Sequence, residues 1–290
     1  MNIKKKIVNL LHRYPPLFQF IFSVYRVTFF VWSVFVRLVK LPIKLLRVSY
    51  LTIKSALTGR RHIIDPADAS FFADGFATVH YVGFLHDKKF TSSYDNSFSG
   101  IEPKFARLAH RTIPWRAHIV TWAANQAIKL DGDFVECGVW WGTLSKVICE
   151  YTDFEKLTEK KFYLIDTWGD PKTSNLKHQK RYPDDLFNKV KERFIKYPNV
   201  KLVRGPVPEI LQDVPVKKIA YLSIDMNGDI AERATLEKYY DKMVKGGIIY
   251  FDDYGFGMYA KLRATVDEFF SDKPETLLHF PGGNSIVIKQ

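Results

Sequence analysis

The first part of the sequence lacks acidic residues. No Asp or Glu precedes Asp65, while residues 1–64 hold twelve Lys and Arg. The rest of the chain carries 31 basic and 31 acidic residues, so the net charge of +12 belongs to the N-terminal segment. A nucleic-acid channel needs basic residues within the folded domain itself. The charge distribution therefore argues against a nucleic acid as substrate or partner.

Cysteine is scarce, and internal repeats and low-complexity runs are missing. The two cysteines, Cys137 and Cys149, both lie in a predicted apolar strand–helix unit, which favours reduced core thiols in a cytoplasmic compartment over a disulfide framework. A length of 290 residues fits one α/β domain with an appendage.

Residues 17–36 are almost wholly apolar or aromatic, and Arg26 is their only charged residue. On a helix of 100° per residue, most polar and basic residues near this run share one sector: Gln19, Ser23, Arg26, Ser33, Arg37, Lys40, Lys44 and Arg47. The stripe is interrupted by Phe22, Phe29, Phe30 and Leu41. A mostly one-sided basic stripe of this kind favours a helix lying in the plane of an anionic membrane surface. A spanning helix and packing within a homo-oligomer are the alternatives.

No small-residue cleavage site follows the apolar run, which argues against a cleaved signal peptide. We therefore expect a cytoplasmic protein bound peripherally to the inner face of a membrane.

Three regions follow from the pattern: a basic apolar helical arm (1–64), a helical and loop cover (65–130) and an α/β domain (131–290). Alternating strands and helices in the last region predict a mostly parallel sheet with crossovers. The predicted strands are 134–138, 161–166, 200–204, 219–225 and 247–251. The predicted helices are 115–129, 143–151, 185–196, 231–244 and 260–270. Residues 276–280 and 285–288 are predicted to form a terminal antiparallel hairpin, and residues 168–183 the longest loop.

The dinucleotide fingerprint G-x-G-x-x-G is absent, because Trp140 stands at its second glycine position. This disfavours a cofactor whose pyrophosphate needs bare backbone. The turn from Gly138 to Gly142, between an apolar strand and a helix, still allows close approach of a nucleoside cofactor. Asp166, after the next strand, suits a ribose diol, with a helix N-cap as the alternative. Glu136 lies in an apolar strand and is expected to bind a ligand or a nearby amide, since an unpaired buried charge is costly.

Three carboxylates end two further strands. Asp225 closes one strand, and Asp252 and Asp253 close the next. Adjacent carboxylates repel one another unless a proton or cation holds them, and hard divalent ions prefer such oxygens. The sequence therefore predicts an Mg²⁺ or similar site at the carboxyl edge of the sheet, with capping of loops by solvated acids as the alternative.

Several motifs together resemble the macrocin O-methyltransferase family: Gly132-Asp-Phe-Val-Glu-Cys-Gly-Val-Trp140, Asp166-Thr167, Tyr221-Leu-Ser-Ile-Asp-Met-Asn227 and Asp252-Asp-Tyr-Gly255. The likeness extends through residues 74–80 and 113–118 to the C-terminus and leaves the arm outside. It implies a class I, Rossmann-like methyltransferase that uses S-adenosylmethionine and Mg²⁺ to methylate sugar hydroxyls. The metal would lie on Asp225, Asp252 and Asp253. The cofactor would lie on Glu136, Gly138 and Asp166, and we add Trp140, Gly142, Ser145, Thr167 and Gly205 to its predicted contacts.

One residue departs from the family pattern. The resemblance implies an Asp as general base two residues after the first metal ligand, but Asn227 stands there, and an amide does not accept that proton at neutral pH. Besides Asn227 itself, His118, His80 and Asp229 are candidates for the catalytic role, or metal activation suffices. The acceptor is then a sugar or glycan, with an amine or phosphate as the alternative. A nicotinamide oxidoreductase and a non-catalytic, membrane-anchored scaffold are the competing functions.

Overall fold

The computed structural model describes residues 69–169, 182–183 and 185–290. The predicted arm and most of the predicted loop 168–183 lie outside these residues. Nine strands occur in the described part: β1 (Phe71–Ala73), β2 (Phe76–Thr78), β3 (Asp133–Cys137), β4 (Phe162–Asp166), β5 (Val200–Arg204), β6 (Ile219–Ile224), β7 (Met243–Phe251), β8 (Leu278–His279) and β9 (Ser285–Ile288).

The described part also contains seven α-helices: α1 (Lys88–Asn96), α2 (Pro103–Thr112), α3 (Pro114–Ala127), α4 (Thr143–Thr152), α5 (Leu186–Arg193), α6 (Asp229–Tyr239) and α7 (Ala260–Phe270). Short 3-10 helices cover Gly83–His86, Phe154–Lys156, Glu209–Gln212, Tyr240–Lys242 and Gly257–Tyr259.

The main sheet has seven strands in the order β5-β4-β3-β6-β7-β9-β8. The first five are parallel to one another, whereas β9 is antiparallel to both β7 and β8. Helices cover both faces: α1, α3, α4 and α5 contribute to one core, and α6 and α7 to the other. Central strands covered on both sides must be apolar throughout. Strand β6, Ile-Ala-Tyr-Leu-Ser-Ile, is accordingly buried at every position.

This architecture confirms the predicted Rossmann-like sheet with its C-terminal antiparallel hairpin. Two details differ. The helix predicted over 231–244 ends at Tyr239, because Met243 already pairs with Ile219 at the start of β7. The cover region contains the short antiparallel hairpin β1–β2 in addition to helices and loops, and this hairpin was not predicted. The three region boundaries themselves stay predictions.

The register of the parallel strands sets the position of the site. Cys137 of β3 pairs with Ile165 of β4 and Ile224 of β6, and Ile224 pairs in turn with Phe251 of β7. The residues that come next on these four strands therefore form a row at the carboxyl edge of the sheet: Gly138, Asp166, Asp225 and Asp252.

Candidate active site

The turn after β3 is built on two glycines in left-handed conformations. Gly138 has φ +88°, and a Cβ placed on it would lie 1.8 Å from the carbonyl oxygen of Asp225. Only glycine allows so close an approach between the two strand ends. Gly142, with φ +68°, precedes α4, and a Cβ there would lie 2.7 Å from the ring of Phe194. The turn thus presents bare backbone and a helix N-terminus at the sheet edge, a setting that suits an anionic ligand group.

Asp166 holds this turn in place. Its Oδ2 accepts hydrogen bonds from the backbone N–H groups of Val139 (2.7 Å) and Trp140 (2.8 Å), and its Oδ1 accepts from that of Trp168 (2.7 Å). The hydroxyl of Tyr182 lies 3.3 Å from Oδ1. These donors belong to loops, so the helix N-cap alternative is wrong. Direct contact of Asp166 with a ribose stays a prediction.

The other predicted cofactor residues surround Asp166 and the turn. Glu136 is buried, and its Oε2 accepts a hydrogen bond from the Ser145 hydroxyl at 2.5 Å. Burial raises the pKa of Glu136 to about 8. The Gly205 N–H donates to the backbone carbonyl of Asp166 (3.0 Å), and the Thr167 hydroxyl lies 3.4 Å from Asp166 Oδ1. Trp140, with φ +49°, is partly exposed in the turn itself.

The three predicted metal ligands come together. Oxygen atoms of Asp225, Asp252 and Asp253 all lie within 4.8 Å of one another. Burial and the neighbouring carboxylates raise the pKa of Asp225 well above its usual value, and burial, followed by the charge of Asp252, raises that of Asp253 to about 7. The Oδ2 of Asp253 is buried without a hydrogen-bond partner among the described residues. An all-oxygen, mutually repelling set with an unpaired oxygen fits a divalent cation.

Three residues to which the sequence analysis assigned no role support this cluster. Arg116, in the first turn of α3, donates from Nη1 to Asp252 Oδ2 at 2.7 Å, and its Nε lies 3.5 Å from Asp74 Oδ1. The buried Asp74 also accepts from the backbone N–H of Trp115 at 2.6 Å. The other oxygen of Asp252 accepts from the Tyr250 hydroxyl at 2.6 Å. Asp74 and Arg116 lie in the motifs that carry the resemblance, which was the available signal.

Asn227 lies beside the cluster. It has φ +56°, its Oδ1 accepts a hydrogen bond from the Tyr259 hydroxyl, and its Nδ2 lies 3.5 Å from Asp225 Oδ1. Its neutral side chain thus links a predicted metal ligand to the 3-10 helix of residues 257–259. Asp229 begins α6 two residues later.

The described contacts of the His118 ring are with aromatic side chains and not with the carboxylate cluster, so its catalytic role stays a prediction. Its ring stacks on Phe84 with centroids 4.4 Å apart and contacts the edges of Phe90 and Trp115. Burial lowers the pKa of His118, as expected for a histidine in an aromatic core. Arg116, two positions earlier on the same helix, points to the carboxylates instead. His80 is exposed after β2, and its described hydrogen bonds are made by its backbone.

Comparisons with known proteins agree with this geometry. The model of the macrocin-O-methyltransferase (TylF) family matches residues 116–274. The O-methyltransferase NovP has a similar structure, with 20% identity, a TM-score of 0.50 and coverage of 62% of this chain and 81% of NovP. So does the SAH-bound methyltransferase PaMTH1 of Podospora anserina, with 15% identity, a TM-score of 0.50 and coverage of 70% and 88%. A search of curated protein sequences finds no match.

The sheet order, the glycine turn and the family match define an S-adenosylmethionine-dependent O-methyltransferase of class I fold. At these identities the solved structures establish the fold alone. The family match covers more than half of the chain, and the chain belongs to the macrocin-O-methyltransferase family.

Among the described residues, no helix is long and apolar enough to cross a membrane. The apolar run 17–36 lies outside them, so its predicted membrane contact stays a prediction.

Proposed function

We propose that the protein transfers the methyl group of S-adenosylmethionine to a sugar hydroxyl with the help of a divalent metal ion. The observation that carries the proposal is the contact between the two halves of the site. Gly138 of the cofactor turn packs directly on the carbonyl of Asp225, the first residue of the carboxylate cluster. A cofactor on the turn and a cation on the cluster would therefore be neighbours. The family resemblance supports a sugar acceptor and Mg²⁺.

Some residues of the site would hold the cofactor or the ion, and others orient a metal ligand or the acceptor. The turn of residues 138–142 and Glu136 would hold the cofactor, and Asp225, Asp252 and Asp253 would hold the ion. When bound, such an ion would lower the pKa of an acceptor hydroxyl. Arg116 and Tyr250 fix the two oxygens of Asp252, so this ligand is oriented before any ion binds. Asn227 would orient an acceptor by hydrogen bonding, since its amide does not take up a proton.

Exposed apolar side chains flank the Asn227–Tyr259 contact. Ile230, in the first turn of α6, is 76% exposed, and Met258, next to Tyr259, is 79% exposed. Large apolar side chains at the rim of a polar site favour a ligand with an apolar portion. They support an acceptor sugar attached to an apolar group, such as a lipid-linked or cell-surface glycan. Asn227 favours a second candidate, an amine acceptor, because a neutral amine needs no carboxylate base.

The basic arm also supports an acceptor that is located at a membrane. Its charge and apolar run are suited to an anionic membrane surface, on which a lipid-linked acceptor would be presented. We propose peripheral attachment at the cytoplasmic face, with association into a homo-oligomer through the arm as the alternative. Nucleic acid is not among the proposed partners, because the charge outside the arm is balanced.

The experiment measures methyl transfer from labelled S-adenosylmethionine to free sugars, lipid-linked glycans and amines, before and after chelation with EDTA. We expect activity on a sugar-containing acceptor that EDTA abolishes and Mg²⁺ restores. Asp225→Ala should greatly reduce turnover while calorimetry shows nearly unchanged cofactor affinity. Asp213→Asn, at an exposed position outside the cluster, is the matched control. Activity that survives exhaustive chelation would refute the metal-assisted mechanism, and transfer to amines alone would refute the sugar acceptor.

A further inference from the structure

Glu232 is a buried carboxyl group with no role in the mechanism described above. It lies in the first turn of α6, is fully buried, and neither of its oxygens has a hydrogen-bond partner among the described residues. A buried carboxyl group without partners is costly, and native proteins retain few of them. Its position should therefore have a use beyond packing.

The helix directs Glu232 toward the carboxyl edge of the sheet. Glu232, Thr235, Leu236 and Tyr239 are the buried residues of α6, and their spacing places them on its sheet-facing side. Because α6 follows β6 and leads back to the start of β7, its first turn is the end nearest Asp225, Asp252 and Asp253. Glu232 is thus the first residue of the buried face of α6, at the end of the helix that lies near the predicted metal ligands.

Asp253 provides a second unsatisfied carboxylate oxygen at the same place. Along β7, Ile248 and Tyr250 belong to the core under α3, while Ile249 and Phe251 belong to the core under α6. Asp252 follows the first set, since Arg116 and Tyr250 bind it. Alternation then places Asp253 on the α6 side, and its Oδ2 is buried without a partner. Burial raises the pKa of Glu232 to about 9, with the charge of Asp253 as the next cause, which supports their proximity.

We propose that Glu232 is an outer member of the metal centre, which positions Asp253 as a ligand through a hydrogen bond to its free oxygen, direct or through one water. This inference rests on the proposed metal-assisted function. Groups that hydrogen-bond a metal ligand fix its orientation, and their loss costs about 10–100-fold in metal affinity. Because Glu232 is fully buried, it does not touch the acceptor, and its role is positioning.

The test measures Mn²⁺ binding to the full chain by calorimetry and by the electron paramagnetic resonance spectrum of the bound ion. Glu232→Leu removes the hydrogen bond and should weaken Mn²⁺ binding about 10–100-fold and alter the spectrum, with S-adenosylmethionine affinity unchanged. Glu232→Gln, whose amide N–H can still donate to Asp253, should bind Mn²⁺ more nearly like the wild type. Glu237→Leu, on the exposed face of the same helix where Glu237 pairs with Arg233, is the matched control and should bind Mn²⁺ like the wild type.

A melting temperature and one further variant separate the possible failures. Glu232→Leu should melt at the same or a higher temperature than the wild type while binding Mn²⁺ more weakly, since an apolar side chain relieves the unpaired carboxyl group. If Asp253→Asn weakens Mn²⁺ binding but Glu232→Leu does not, the inference fails and the proposed metal site stands. If the wild type itself does not bind Mn²⁺, both the metal site and the inference are wrong.

Discussion

Asp166 shows how one side chain organises a ligand site by holding backbone. Its two oxygens accept three N–H groups from the turns that follow β3 and β4. Hydrogen bonds to a charged group contribute about 1.5–3 kcal/mol each, so this carboxylate defines the conformation of the loop from residues 138 to 142. A cofactor that lies on this loop depends on Asp166 even without touching it.

Replacing Asp166 by Asn should therefore weaken S-adenosylmethionine binding by about 1–3 kcal/mol, because an amide has one acceptor oxygen and cannot receive N–H groups on both sides. Calorimetric titration of the folded variant measures the affinity. Asp213→Asn serves again as the exposed control and should bind like the wild type. Unchanged affinity for Asp166→Asn would mean that the cofactor does not use this turn.

At the residue scale, the sequence predicted where carboxylates lie better than what they contact. Asp225, Asp252 and Asp253 converge as strand ends of a parallel sheet must. The basic partner of Asp252, Arg116, by contrast comes from α3, 136 positions earlier in the chain, a pairing that no local pattern encodes. The aromatic surroundings of His118 likewise become visible only in the folded core. Glu232 carried a weak signal, a charge within the apolar stripe of a helix.

At the element scale, the ends of β3 and β6 act as one unit because Gly138 lies against the backbone of Asp225. The Gly138 N–H also donates to Ile165 of β4 at 2.9 Å. A side chain at position 138 cannot be accommodated by a rotamer change, since the atom it meets is a backbone carbonyl. A substitution at position 138 is therefore expected to disturb both the cofactor turn and the carboxylate cluster.

Gly138→Ala should lower the free energy of unfolding by several kcal/mol and weaken both cofactor and Mn²⁺ binding, given a Cβ contact of 1.8 Å at a positive φ. Urea unfolding and calorimetry measure the two effects. Gly257→Ala is the matched control: a Cβ there meets nothing within 4 Å, and the variant should behave like the wild type. A Gly138→Ala variant of normal stability would show that the turn can move away from Asp225.

The elements themselves were predictable where burial is complete on both faces. Strands β4 and β6 read as apolar runs because helices cover both of their sides. The end of α6 was misplaced because the apolar spacing of a helix continues into Met243 and Val244. These two residues belong to strand β7 instead. The hairpin β1–β2 was missed because three residues a strand are too few for an alternating pattern to stand out.

At the scale of the whole molecule, the distribution of charge divides the chain into a basic arm and a remainder in which acidic and basic residues balance. All twelve basic residues of the arm precede Asp65, while every predicted site residue follows it. The family match likewise begins only at Arg116. The arm is therefore expected to place the enzyme near its acceptor and to contribute nothing to the chemistry.

Deleting residues 1–60 tests this separation. The truncated protein should fold and bind S-adenosylmethionine like the full chain, because its charge is nearly balanced and the site motifs all lie later. It should no longer sediment with anionic liposomes.

For the full chain, a contribution of about 1 kcal/mol per basic residue near the surface predicts binding that weakens with salt, and the apolar residues of the run 17–36 should leave a salt-resistant remainder. Liposomes of neutral lipid are the control and should retain only that remainder. If the truncated protein instead unfolds or loses cofactor binding, the apolar run packs into the core or into a second copy, and the membrane proposal is wrong.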